Sequence, residues 1–253
     1  MNAPLLHMED LTIRFRGVAA LEAVSFSVDR GEIVALIGPN GAGKTTVLNL
    51  ISGLERPQRG RIRFRNKTVS EMTAHRIARL GIARTYQASQ ILARLSVVEN
   101  VLVGRYASTR VPFFLAGFWL PFIYREEHRH VTRAYEILDF IGLYDKADRR
   151  IDQVSYQEQK LVELGRCLAM EPDLLLLDEP FGGLHRGEIE TMAARIEQIR
   201  RSGVSVLLID HHFETVAGLA DRMVVLDHGQ VAACGTVSEI RRNENVQKTY
   251  LHR

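Results

Sequence analysis

The sequence predicts an α/β core interrupted by a helical insert, and three observations carry that reading. Apolar runs at EIVALIG (Glu32 to Gly38), DLLLLDEP (Asp173 to Pro180) and SVLLIDHH (Ser205 to His212) have the continuous character of strands buried on both faces. A glycine-rich loop follows the first run and leads into a stretch with helical spacing. From about Val98 to Arg150 the pattern becomes helical, which splits the α/β alternation into two parts.

In chain order, LTIRF and AVSFSV alternate in strand fashion, with GVAAL between them. After the strand EIVALIG and its glycine loop, TTVLNLISG is helical and stops at Gly53. RGRIRFRNKTV reads as a hairpin with Asn66 near its turn. The first ninety residues thus read as strands and turns around one helix. The segment VPFFLAGFWLPFIY, Val111 to Tyr124, holds the only Trp and two prolines. It is too short and too interrupted to span a bilayer, and reads either as core or as an exposed apolar docking surface. Glu188 to Arg201 is a helix, and RMVVLDHGQVAACG is a hairpin turning at Asp227-His228-Gly229. Thr236 to Glu239 forms a capping box that opens a last helix. There is no internal repeat.

Composition sets the bounds. A chain of 253 residues with 46% hydrophobic and 25% charged residues can bury a substantial core. The net charge of +3 fits an ordinary solvated surface. Cys167 and Cys234 lack metal-ligand spacing and lie in apolar contexts, so both are expected to be buried free thiols in a reducing compartment. The opening MNAPLLHMEDL is acidic and is not a signal peptide. No apolar run reaches the roughly 18 residues of a membrane span, so the chain is expected to be soluble or attached to a membrane through something else. No basic stripe with interleaved aromatics appears, which argues against nucleic acid as a partner.

Two motifs carry chemistry. Gly38-Pro-Asn40-Gly41-Ala42-Gly43-Lys44-Thr45-Thr46 fits the G-x-x-x-x-G-K-[ST] phosphate loop, placed between a strand and a helix. Its backbone N–H groups can point at phosphate oxygens, aided by the positive helix N-terminus. Lys44 is placed to reach the β- and γ-phosphates, and the Thr45 hydroxyl to ligate Mg²⁺. LLLLDEP supplies Asp178, placed to hold Mg²⁺, and Glu179, placed to polarise an attacking water.

These motifs, in this order, resemble the ATP-binding subunit of an ABC transporter, and the resemblance covers essentially the whole chain. It implies an α/β fold with a P-loop NTPase (RecA-like) core, an antiparallel β subdomain and a helical subdomain insertion. The expected organisation is a single domain, with the core at 1–90 and 166–253 and the helical subdomain at about 91–165. The resemblance implies ATP and Mg²⁺ as cofactors. In Arg84-Thr-Tyr-Gln87, Gln87 matches the family's Q-loop glutamine, which contacts Mg²⁺ and the water and senses the membrane subunit. Phe15 falls where the family stacks an aromatic on adenine, although a core role is the alternative for that residue. His211 sits at the switch-histidine position beside the γ-phosphate.

RTYQ, the long segment after it and the ending EIRRNENVQKTYL are similar to importers of the branched-chain amino-acid type. That likeness implies transmembrane permease subunits, indirectly a solute-binding protein, and a peripheral place on the cytoplasmic face of the inner membrane; a second ATP-binding subunit is expected from the altered signature at Val154 to Glu158. Lipid or lipopolysaccharide export and a slow-turnover ATP-gated regulatory module are the alternatives.

Two stretches depart from the family pattern. The signature, L-S-G-G-Q or L-S-Y-G-Q, here reads Val154-Ser155-Tyr156-Gln157-Glu158. Ser155 is kept as a candidate contact to nucleotide, while Gln157 adds bulk and Glu158 adds a like charge where γ-phosphate of an opposite subunit is expected. In Gly182 to Arg186, His185 stands where the family places Asp or Asn. These changes imply that the two ATP sites of a dimer are not equivalent.

Overall fold

A computed structural model of the chain describes residues 3–85, 92–108 and 121–246. The chain divides into two compact units, residues 1–84 with 173–253 and residues 85–172. In the first unit, β1 (Leu6–Phe15) pairs antiparallel with β2 (Val18–Val28), so much of GVAAL belongs to a strand. After β3 (Ile33–Ile37) and helix α1 (Lys44–Ile51) come β4 (Arg59–Phe64) and β5 (Lys67–Thr68). The β4–β5 hairpin turns through Arg65 and Asn66, both at positive φ, as the sequence anticipates. These strands form an antiparallel sheet ordered β2-β1-β4-β5.

A second short helix, α2 (Ala74–Arg79), contradicts the single-helix reading of the first ninety residues. It buries only Ile77, so its six residues carry no apolar repeat for a sequence pattern to register. After β6 (Ile82–Arg84), the chain enters the second unit and returns at β7 (Leu174–Asp178). The first unit continues with α6 (Arg186–Arg201), β8 (Ser205–Ile209), α7 (Phe213–Leu219), β9 (Arg222–Asp227), β10 (Gln230–Thr236), α8 (Val237–Arg242) and α9 (Glu244–Val246). The six-stranded sheet is ordered β10-β9-β3-β8-β7-β6, with only the β9–β10 hairpin antiparallel.

Every residue of β3, β7 and β8 is buried, which explains their unbroken apolar sequences. The register pairs Ile33 with Val206 and Asp178 with Ile209, so the carboxyl ends of these three strands share one edge. Ligands of open parallel sheets bind at that edge.

In the second unit, α3 (Val97–Ser108), α4 (Pro121–Ile141) and α5 (Tyr156–Leu168) bury Val101, Leu138, Ile141 and Leu161. Pro121 opens α4, where its missing N–H costs nothing. Residues 111–120 of the Trp-bearing segment lie outside the described residues. Cys167 is buried on α5, and burial pushes its thiol up to about 12. Cys234, however, is exposed, contrary to expectation, because it faces outward on the edge strand β10.

Candidate active site

The phosphate loop leaves β3 at Gly38, whose φ is 150° and where an added Cβ would sit 2.1 Å from the Leu226 carbonyl oxygen. Gly43 caps α1 at φ 102°, and a Cβ there would lie 2.6 Å from the Ala20 oxygen. At these two positions the backbone runs too close to its neighbours for any side chain. Ala42 is buried, while Asn40, Gly41 and Thr45 are exposed, and Gly43, Lys44 and Thr46 are half-buried. Lys44 Nζ folds back over the loop and donates to the carbonyls of Gly38 and Pro39 at 2.7 and 2.8 Å. Burial lowers its pKa, while the charges of Glu179 and Asp178 pull it upward. The two carboxylates therefore lie within electrostatic reach of the loop lysine, as the spacing of the motifs predicts.

Asp178 ends β7 with its side chain only 2% exposed. Arg84, at the end of β6, donates to its Oδ2 at 3.0 Å and also to Asn49 Oδ1 at 2.8 Å and Ser52 Oγ at 3.1 Å. One guanidinium thus ties the far end of α1 to the carboxylate. The motif pattern assigns Arg84 no role, although a charge ending an otherwise apolar strand is a usable signal. Glu179 follows at φ 49°, a conformation that costs a non-glycine residue on the order of 1–3 kcal/mol. Its N–H donates to Ile209 O at 2.8 Å, and its own carbonyl accepts from Gly182 at 3.1 Å. The hydrogen bonds on either side hold this strained residue in place.

Asp210, which sequence reasoning also missed, ends the apolar strand SVLLI just as Asp178 ends LLLL. Its fully buried carboxylate accepts from the backbone of Phe181, His211 and His212 and lies 2.7 Å from His212 Nδ1. It therefore joins the loop after β7 to the loop after β8. His211 projects outward with 64% of its side chain exposed, its ring 4.4 Å from that of His212. Phe15, at the end of β1, is 44% exposed, which sets aside the core alternative. Gln87 lies outside the described residues.

The site residues suit a magnesium nucleotide. Thr45 and Asp178 are hard oxygen donors of the kind Mg²⁺ selects, and the loop lysine supplies a compact cation for phosphate.

In the second unit, Ser155 is the N-cap of α5, with its Oγ accepting from Glu158 N at 3.3 Å. Glu158 Oε2 accepts from Ser155 N at 2.8 Å, and Oε1 is paired with Lys146. Burial opposes the Glu158 charge, but the Lys146 and Ser155 hydrogen bonds outweigh it and hold the carboxyl below its usual range. The like charge expected at Glu158 is thus capped by Ser155 and paired with Lys146. His185 is the N-cap of α6, and its N–H donates to Glu188 Oε2 at 2.8 Å.

Comparison with known proteins agrees with this geometry. The profile of the family described as ABC transporter matches residues 21–182. The high-affinity branched-chain amino acid transport ATP-binding protein LivG of Salmonella typhimurium is 36% identical over 252 residues, 99% of each chain. BraF of Pseudomonas aeruginosa, a protein of the same description, is 36% identical with the same coverage. Among solved structures, an ATP-binding cassette of an ABC transporter in its ADP conformation superposes with a TM-score of 0.87 at 30% identity, covering all of both chains. A nucleotide-free cassette gives 0.86 at 30% identity, covering 99% of this chain and 100% of that one.

Proposed function

The chain belongs to the ABC transporter family, and from that premise we propose that it hydrolyses ATP to energise a membrane importer of branched-chain amino acids or similar small polar solutes. The observation that carries the reading is Lys44 folded over a phosphate loop whose charge environment includes Asp178 and Glu179. LivG of Salmonella typhimurium and BraF of Pseudomonas aeruginosa, similar over the full length, bear branched-chain amino acid transport in their names.

In the proposed roles, the loop from Gly38 to Thr46 binds the phosphates through its backbone and Lys44. Phe15, exposed at a strand end, stacks on the adenine. Thr45, Asp178 and Gln87 would hold Mg²⁺, which would neutralise charge on the phosphates. Glu179 orients and deprotonates the attacking water, its strained backbone held by hydrogen bonds to Ile209 and Gly182. His211 contacts the γ-phosphate, its backbone N–H held by the Asp210 carboxylate.

The proposed partners are transmembrane permease subunits, a second ATP-binding subunit and, indirectly, a solute-binding protein, with the chain on the cytoplasmic face of the inner membrane. No helix among the described residues is long and apolar enough to cross a membrane. The partner ATPase is inferred from Gln157 and His185, which alter what this chain would offer to a neighbour's site. ATP hydrolysis by the chain reconstituted with its permeases, stimulated by amino acid and receptor, tests the assignment. A purified homodimer that turns over at full transporter rate, unchanged by Gln157→Gly, would remove the case for unequal sites.

A further inference from the structure

The second unit carries a cavity of about 540 Å³ that none of the nucleotide chemistry uses. Four of its eight lining residues are arginines. Arg125, Arg129 and Arg133 recur every four residues along α4, and Arg105 projects from α3. Residues four apart on a helix are neighbours, so the three α4 guanidiniums form one like-charged stripe, an arrangement that destabilises an isolated helix.

Only part of this charge is balanced. Arg105, with 5% of its side chain exposed, pairs with Glu171 at 2.8 Å and donates to Ala169 O at 3.0 Å. Arg133 pairs with Glu136 at 2.7 Å. Arg125 and Arg129 have no ion pair among the described residues. Four arginines against Glu136 and Glu171 leave the lining at a net +2.

The fixed Arg105 floor gives the cavity a shape that a loose surface charge run lacks. Its volume falls in the range of small-molecule sites, and arginine forks match phosphate oxygens two at a time. We propose that this cavity is a second anion site, taking a small phosphorylated anion with at least two negative charges, distinct from the phosphate loop of the first unit. Two sources present this chemistry, a soluble phosphorylated metabolite and an anionic lipid headgroup.

The test is calorimetric titration of inorganic pyrophosphate into the full-length chain already saturated with ADP, so that the phosphate loop is filled. The expected result is one site per chain that weakens at least tenfold in Arg125→Gln/Arg129→Gln. The control Arg76→Gln/Arg79→Gln, which neutralises two exposed arginines on α2, should retain it. Co-sedimentation with phosphatidylglycerol vesicles distinguishes the sources. Retention that pyrophosphate competes away and the α4 variant loses identifies a headgroup, and pyrophosphate binding without retention identifies a soluble ligand. Absence of both pyrophosphate binding and vesicle retention, or equal loss in the two double variants, overturns the proposal.

Discussion

Replacing Arg84 by leucine removes the guanidinium that donates to Asp178 Oδ2 and leaves a carboxylate whose side chain is 2% exposed. Removing one partner of a buried ion pair costs about 3–5 kcal/mol, because the remaining charge stays desolvated. Asn49 Oδ1 and Ser52 Oγ also lose a donor, but Asn49 is only half-buried and water can replace part of that loss. Taking roughly 2–4 °C per kcal/mol for a chain of this size, the nucleotide-free Arg84→Leu protein should melt roughly 6–20 °C lower. The assay is equilibrium urea unfolding and thermal melting of wild type, Arg84→Leu and the double variant Arg84→Leu/Asp178→Leu. The double variant should be more stable than Arg84→Leu alone, because it removes the orphaned charge together with its partner. If Arg84→Leu lies within about 1 kcal/mol of wild type, or the double variant is no better, then the pair is not the buried tie inferred from its geometry.

Other substitutions separate binding, chemistry and stability. Lys44→Met should weaken ATP binding at least tenfold, or about 1.4 kcal/mol, with little change in folding, because among the described residues Lys44 hydrogen-bonds only loop carbonyls; fluorescent nucleotide titration reads this. Glu179→Gln should keep ATP affinity while hydrolysis by the reconstituted complex falls by about 10²–10⁴, as expected for loss of a general base. Glu158, whose carboxyl lies below its usual value in the folded chain, contributes stability that is complete above the unfolded value of 4.5 and is lost as pH falls through the folded one. Wild type and Glu158→Gln should therefore differ in urea midpoint at pH 6 and converge progressively below about pH 4.5.

Much of the site was legible in the sequence because its parts are local. The phosphate loop needs glycines where backbone meets backbone, as at Gly38 and Gly43, and steric necessity of that kind leaves a fixed motif. Buried strands were legible for the same reason, since two covered faces demand unbroken apolar residues. Arg84 was not legible as a partner of Asp178, which lies 94 residues further on, because only the parallel pairing of β6 with β7 brings them together. Cys234 was misread because an apolar neighbourhood in sequence does not reveal that β10 lies at a sheet edge. Asp210 shared the strand-end pattern of Asp178, and its role emerged only from the three backbone amides that converge on it.

The signature stretch shows how a departure from a family pattern divides into separable parts. At position 158 the new carboxylate does not face outward as a free charge, because it closes a capping box with Ser155 and pairs with Lys146. An N-cap box of this kind contributes about 1 kcal/mol to its helix, so Glu158 is a stabilising substitution with its own partner. Ser155 accepts through its oxygen, which leaves the hydroxyl hydrogen available to donate. Of the two changes, Gln157 is then the one proposed to weaken a neighbour's site, its side chain standing where the family signature has a glycine. In a complex with a second ATP-binding subunit, Gln157→Gly should raise turnover, whereas Glu158→Gln should lower stability and leave turnover nearly unchanged. Recovery of turnover by Glu158→Gln alone would show that the charge, despite its cap and its lysine, still reaches the phosphate.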